Sequence, residues 1–226
     1  MPPIVTLTTD FGLSDHYVGV MKGVILSICP QARIVDLSHQ VTPFAIAEGA
    51  YLIAQAYRHF PKKTVHVVVV DPGVGTARRP ILVEAAGQFF VSPDNGVLSM
   101  VYSREKHKVR VLTNERYFRK PVSQTFHGRD MFSPVGAHLA AGVAVARLGK
   151  RIEDYQKSGF GPPQPLGQAG GPAASSTSTG SETSSPTSLP LSFPLSRARS
   201  SPWPWARVRS ACWRGTTRRE RPASCL

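Results

Sequence analysis

Residues 64–80 read TVHVVVVDPGVGTARRP. Thr64 to Val70 is almost continuous valine, the pattern of a strand covered on both faces, as in a parallel sheet. The run stops at Asp71, so this carboxylate emerges at the rim of what is predicted to be the central strand. Pro72, Gly73 and Gly75 then force an irregular turn able to bring Arg78 back toward Asp71.

Upstream, Ile4 to Thr8 is a short apolar β-rich run ending in TTDFG. Ser14 is placed to cap a helix carrying Val18, Met21, Ile25 and Ile28, which Pro30 ends. A second strand covers Ile34 to Leu37. Thr42-Pro43 offers a cap and a first-turn proline for a second helix with Ile46, Ala50, Ile53 and Tyr57, closed by Pro61. Strand, helix, strand, helix, strand predicts an α/β domain with a central, mostly parallel sheet flanked by helices.

Downstream of Pro80 the strands shorten, at Ile81 to Glu84, Phe89 to Val91 and Val109 to Leu112. Turn chemistry at Ala86-Gly87 and Asp94-Asn95-Gly96 suggests antiparallel or edge additions. A last helix is expected from about Asp130 to Arg147, with Pro134 in its first turn and Val135, Leu139, Val143 and Ala146 on one face. Residues 148–165 read as a linker.

The chain changes character near Gly167. Residues 1–160 read as one domain with a sizeable core, and residues 161–226 as linker and disordered tail, rich in Ser, Pro, Gly and Arg. The net charge of +13 splits almost evenly about residue 165, with 19 Lys+Arg and 12 Asp+Glu before it and 8 and 2 after it. About half of the basicity therefore sits in the tail, and the whole-chain charge is no argument for a nucleic-acid or membrane partner. Of Cys29, Cys212 and Cys225, only the first lies in the predicted domain, which fits a reducing compartment. The amino terminus lacks a signal-peptide pattern and no apolar run is long enough to cross a membrane, so the expectation is a soluble, cytoplasmic protein.

In open α/β sheets, ligands bind beyond the carboxyl ends of the strands. Three polar clusters fall at such positions: Asp10 and Asp15 in TTDFGLSD, Asp71 with Arg78 and Arg79, and His127, Arg129 and Asp130 in TFHGRDMF. Asp71 is placed either to orient a water molecule or to satisfy backbone donors in its turn. Asp10 suits the two hydroxyls of a ribose, or an Asx turn or helix cap. A lone histidine such as His127 is more often structural, and His39, His66 and His138 read as structural or surface. No HxH or HExxH spacing and no Cys/His cluster supports a metal. GVGT lacks the ending of a phosphate loop, and Ser92 and Ser133 lack a nucleophile elbow.

Taken in order, TTDFG, VTPF with Glu48-Gly49, VVDPGVGTARRP, SPDNGVLS and TFHGRDMF resemble one family, the S-adenosylmethionine (SAM) hydrolases. These are also called SAM hydroxide adenosyltransferases and are related to SAM-dependent fluorinases and chlorinases. The resemblance covers about residues 3–160. It implies attack of water on the ribose C5′ of SAM, giving adenosine and L-methionine with no cofactor beyond the substrate itself. By the same resemblance Asp71 polarises the water, Arg78 holds that carboxylate in place and His127 completes the network. The final proton acceptor is left open. Asp10 resembles the ribose-binding aspartate, Asp15 a contact to the methionine amino group, and Phe44 an aromatic residue against the ribose. A carboxylate at position 71 disfavours a halide nucleophile, and Arg129 with Asp130 reads as a structural ion pair.

The family resemblance also implies a second, β-rich domain that supplies the adenine pocket, and homotrimers whose sites lie between subunits. That domain opens with a segment like GRVVHVDRFGNLVTN, where this chain has GPAASSTSTGSETSSPTS. Codons built from the third base of one residue and the first two of the next allow His from Ser176-Thr177, then DRFGN from Ser178 to Thr183 and LVTNI from Thr183 to Ser188. The expectation is a frame change between about Pro165 and Pro172, and a chain whose activity and trimerisation without the second domain are both open. The competing expectations are an inactive remnant and a disordered tail with a nucleic-acid role.

Overall fold

A computed structural model describes residues 1–158 of the 226-residue chain. The tail expected from residue 161, with the frame change placed on it, lies outside the described residues.

The valine run forms the strand β3 (Val65–Val69), buried along its whole length. It pairs in parallel with β1 (Ile4–Thr9) on one side and with β5 (Gln88–Pro93) on the other, and β2 (Arg33–Ser38) extends the sheet beyond β1. Strands β4 (Pro80–Ala85), β6 (His107–Leu112) and β7 (Gly149–Ile152) are added antiparallel. The seven-stranded order is β2-β1-β3-β5-β4-β6-β7. The two-residue alternation of β3 divides its side chains between two cores. Val65, Val67 and Val69 join Val5, Leu7, Met21, Ile25, Phe132 and Val135, under the helices α1 (Tyr17–Ile28) and α4 (Ser133–Ala140). Val68 and Val70 join Ile53, Tyr57, Phe90 and Val101, under α2 (Ile46–Ala56) and the short α3 (Ser99–Tyr102).

His66 interrupts the valines and is fully buried. The Gln88 amide nitrogen donates to the Tyr57, Phe60 and Pro61 carbonyls, which leaves its Oε1, 3.3 Å away, to accept from His66 Nε2. Thr6 Oγ1 then donates to Nδ1 across 2.7 Å, so the network fits one neutral tautomer. Burial pushes the imidazole down to about 4, although the Gln88 bond opposes the shift.

Several local expectations differ from the structure. Ser14 does not cap α1: the helix starts at Tyr17 after an irregular turn, with no side-chain cap. Thr42 does not cap α2, because Phe44 takes a left-handed φ of 67° and the helix begins only at Ile46. Instead the Thr42 N–H donates to Glu48 Oε2 across 3.0 Å. The hairpin partner β5 is not peripheral, since it inserts between β3 and β4 and runs parallel to β3. The long last helix is broken. A π-helical turn (Gly128–Phe132) precedes α4, and Gly142 at φ 93° ends it. Gly142 N–H bonds to Leu139 O and Val143 N–H to His138 O, a glycine C-cap that directs the chain away from the helix axis. The expected linker after residue 148 is not one, because Gly149–Ile152 forms the edge strand β7 and Ile152 packs against the second core.

Candidate active site

Strands β1 and β3 are parallel neighbours with Thr9 opposite Val69, so the chain leaves both strands on the same rim of the sheet. Asp10 follows β1 directly and Asp71 stands two residues beyond β3. Gly49 in α2 lets that helix close on this end of β3, where a Cβ would lie 2.9 Å from Val70 Cγ2.

The loop from Asp71 to Arg79 turns back on itself, with Val74 N–H bonded to Asp71 O and Thr76 N–H to Gly73 O. Its tip needs Gly75: φ is 78°, and a Cβ there would sit 2.4 Å from the Gln124 carbonyl oxygen. That close approach sets the loop against residues 124–127. Arg78 then donates from Nε to both Asp71 oxygens at 3.0 and 2.9 Å, and its Nη2 also bonds Asp71 Oδ2. The same Nη2 lies 2.6 Å from His127 Nδ1, while the guanidinium carbon is 5.2 Å from the centroid of the Phe132 ring. The side chains of Arg78 and Asp71 are only 9% and 4% exposed, so this is a pair shielded from solvent.

Because a guanidinium only donates, His127 Nδ1 accepts from Arg78, which places the ring proton on Nε2. Partial burial lowers His127 below the ordinary histidine range and the Arg78 charge lowers it further, against opposing contributions from Asp71 and Asp130. The histidine is therefore neutral near pH 7. A fixed carboxylate, a cation locking it and a neutral imidazole make a constellation able to hold one water molecule in a defined orientation.

Asp10 lies beside this group. Its Oδ2 accepts the Phe44 N–H at 2.9 Å, which ties the end of β1 to the loop before α2. Burial raises the Asp10 carboxyl above its usual range; the Phe44 bond opposes this and the nearby Asp71 charge adds to it. Phe44 itself is 67% exposed. Asp15 is exposed in the turn between β1 and α1 and makes no side-chain hydrogen bond among the described residues, so the structure does not draw it into the Asp71 cluster.

Arg129 and Asp130 pair with each other rather than with Asp71 or Arg78. Arg129 holds Asp130 with Nε to Oδ1 at 2.6 Å and Nη2 to Oδ2 at 2.7 Å, and the Ser123 N–H caps Oδ2 at 2.9 Å. Burial would raise the Asp130 carboxyl, but these bonds outweigh it and hold the group below its usual range. The pair shapes the loop that presents His127.

Two features escaped the sequence reading. Phe11, Tyr17 and Phe126 form an aromatic cluster next to the rim, with centroids 4.8 to 5.9 Å apart. TTDFG and TFHG each contain one of these rings, but nothing in either motif shows that they meet. The second is Asp94-Asn95, which read as turn residues. Asn95 Nδ2 donates to the carbonyl of Val70, the residue before Asp71, at 2.8 Å.

Known proteins align with this architecture. The family described as SAM hydroxide adenosyltransferase N-terminal domain matches residues 5–149. An (R)-S-adenosyl-L-methionine hydrolase from Salinispora tropica is 43% identical over 154 residues, 67% of this chain and 58% of that protein. One from Methanocaldococcus jannaschii is 46% identical over 142 residues, covering 60% of this chain and 52% of the relative. A fluorinase from Actinoplanes sp. is 31% identical over 193 residues, 75% of this chain and 65% of the enzyme. A crystal structure of an uncharacterized conserved protein from Thermotoga maritima superposes with a TM-score of 0.65 at 44% identity, covering 68% of this chain and 60% of that one. The chain thus spans a little over half the length of the hydrolases it matches.

Proposed function

This chain belongs to the SAM hydroxide adenosyltransferase family, and from that premise we propose that it provides the chemical half of a SAM hydrolase. Water attacks C5′ of the ribose and methionine leaves from the sulfonium, giving adenosine and L-methionine. The observation that carries this reading is the Asp71–Arg78–His127 group on the carboxyl rim of β3, inside the stretch shared with the hydrolases.

Methionine leaves a sulfonium readily, so the catalytic demand is placement of the nucleophile in line with the C–S bond and removal of its proton as the new bond forms. Asp71 accepts a hydrogen bond from the water, and Arg78 fixes the rotamer of Asp71 through two nitrogens. His127, neutral and held on Arg78, closes the other side of the cluster. Asp10 receives the ribose hydroxyls through the oxygen not used by Phe44, Phe44 lies against the sugar, and Asp15 meets the methionine ammonium. The anionic Asp71 repels a halide, which separates this reading from that of the fluorinase relatives.

Incubation of the purified chain with SAM, with adenosine and methionine followed by chromatography, tests the reading. Adenosine formed by the unmodified chain and lost in Asp71→Ala supports it. A second reading is an inactive remnant, which absence of adenosine from the unmodified chain would support. The family's second domain and its trimer belong to the same proposal, as does a frame change near Pro165 to Pro172. Resequencing the gene across that region decides the last point: an intact frame with no matching reading one base away removes it.

A further inference from the structure

Arg78 and Arg79 are adjacent but serve different partners. Arg79 donates from Nε and Nη2 to Asp94 Oδ2 at 3.1 and 2.8 Å, from Nη1 to Asp154 Oδ2 at 3.0 Å, and from Nη2 to the Asp154 carbonyl at 2.6 Å. The Asp94 N–H returns a bond to Arg79 O at 2.8 Å. The other Asp94 oxygen accepts the Gln156 N–H at 2.8 Å, and the Ser158 N–H donates to Ser99 Oγ at 2.8 Å. Asn95, next in sequence, bonds the carbonyl of Val70.

The Asp71–Arg78 loop is therefore pinned just outside both of its working residues. Asn95 holds Val70 before Asp71, and Asp94 holds Arg79 after Arg78. The same Asp94, its side chain 3% exposed, also binds the segment that follows β7. A buried carboxylate shared by two chain segments links their positions, because neither can leave without stranding a desolvated charge.

We infer that Arg79 and Asp94 are positioning residues of the proposed reaction, bracing the Asp71–Arg78 loop against residues 154–158 so that docking of that segment sets the placement of Arg78 on Asp71 and His127. The inference rests on the Asp71–Arg78–His127 reading above. Arg79 and Asp94 touch no reacting atom in this scheme and act through Arg78.

The readout is the His127 ring, which senses the Arg78 cation directly; the other charged groups facing it are Asp71 and Asp130. In the full chain with labelled histidine, NMR titration follows this ring, identified by the resonance lost in His127→Gln. The unmodified protein is expected to titrate below the ordinary histidine range, through burial of the ring and the Arg78 charge. Arg79→Met removes the brace, and Gln156→Pro removes the N–H given to Asp94 while leaving Arg79 and Asp94 themselves unchanged. Both are expected to move His127 part of the way up as Arg78 drifts from it, with circular dichroism showing a retained fold. Arg79→Lys, able to hold one carboxylate but not both, falls between. An unmoved His127 in folded Arg79→Met overturns the brace, and an unmoved His127 in Gln156→Pro overturns its link to residues 154–158. Where Arg79→Met does not fold, Gln156→Pro decides alone. The titration needs no turnover, so absence of adenosine formation refutes the hydrolase reading without touching this result.

Discussion

The Phe44 backbone N–H donates to Asp10 Oδ2 across 2.9 Å, and Phe44 holds a left-handed φ of 67° while doing so. A carboxylate at the end of β1 thereby fixes a strained, aromatic residue of the next loop. The bond and the strain oppose each other energetically.

Asp10→Ala is expected to release this loop, costing about 1 kcal/mol of stability from the lost hydrogen bond. The larger loss is expected in SAM affinity, because both of the proposed ribose contacts, Asp10 and Phe44, depend on the residue. Phe44→Gly relieves the backbone strain and is expected to be neutral or slightly stabilising while weakening SAM binding. Urea denaturation and calorimetric titration with SAM separate the two effects. A stabilised Asp10→Ala with full affinity contradicts the assignment.

The buried Asp71–Arg78 pair should show strong coupling. Arg78→Met leaves a desolvated carboxylate and is expected to cost roughly 3 kcal/mol, whereas Asp71→Asn combined with Arg78→Met recovers a good part of that loss. A double-mutant cycle by chemical denaturation measures the coupling. Additive single effects would show that the two groups act independently.

Gly75→Ala places a methyl group against the Gln124 carbonyl at a φ that L-residues avoid. The expected cost is about 2 kcal/mol, accompanied by separation of the Arg78 loop from His127 and loss of adenosine formation in any active preparation. Ala77→Gly, two residues away in the same loop, serves as the comparison. Equal effects of the two changes would remove the special role of the Gly75 approach.

His66 gives the pH dependence a definite sign. Its folded value of about 4 lies below the unfolded value of 6.5, so the unfolded chain binds the extra proton first. Its contribution is present above pH 6.5 and is lost as pH falls toward 4. The loss is roughly 3 kcal/mol between these limits. His127 and His138 are also lowered and act in the same direction. Denaturation midpoints at pH 7 and 4.5 are expected to converge in His66→Gln relative to the unmodified chain.

Legibility followed the range of the interaction. The valine run announced β3, and the turn residues after it suggested the return of Arg78 to Asp71, because both features are written within seventeen consecutive residues. The insertion of β5 between β3 and β4 was not legible: a hairpin looks the same in sequence whether it lies at an edge or in the middle of a sheet. The strand β7 was hidden in GKRI, whose charges mask an edge position that only β6 can reveal. Asp94 looked like a turn former because its partners, Arg79 and Gln156, lie up to 62 residues away.

The alternation of β3 between two cores has a mechanical side. A void opened under α1 and α4 by shortening Val67, or under α2 by shortening Val68, relaxes the same strand from opposite faces. Either relaxation travels along that strand to the rim where Asp71 stands. Conditional loss-of-function alleles of this gene should therefore gather in the valine run as readily as in the polar residues beyond it. Heat should disable such variants before it unfolds them.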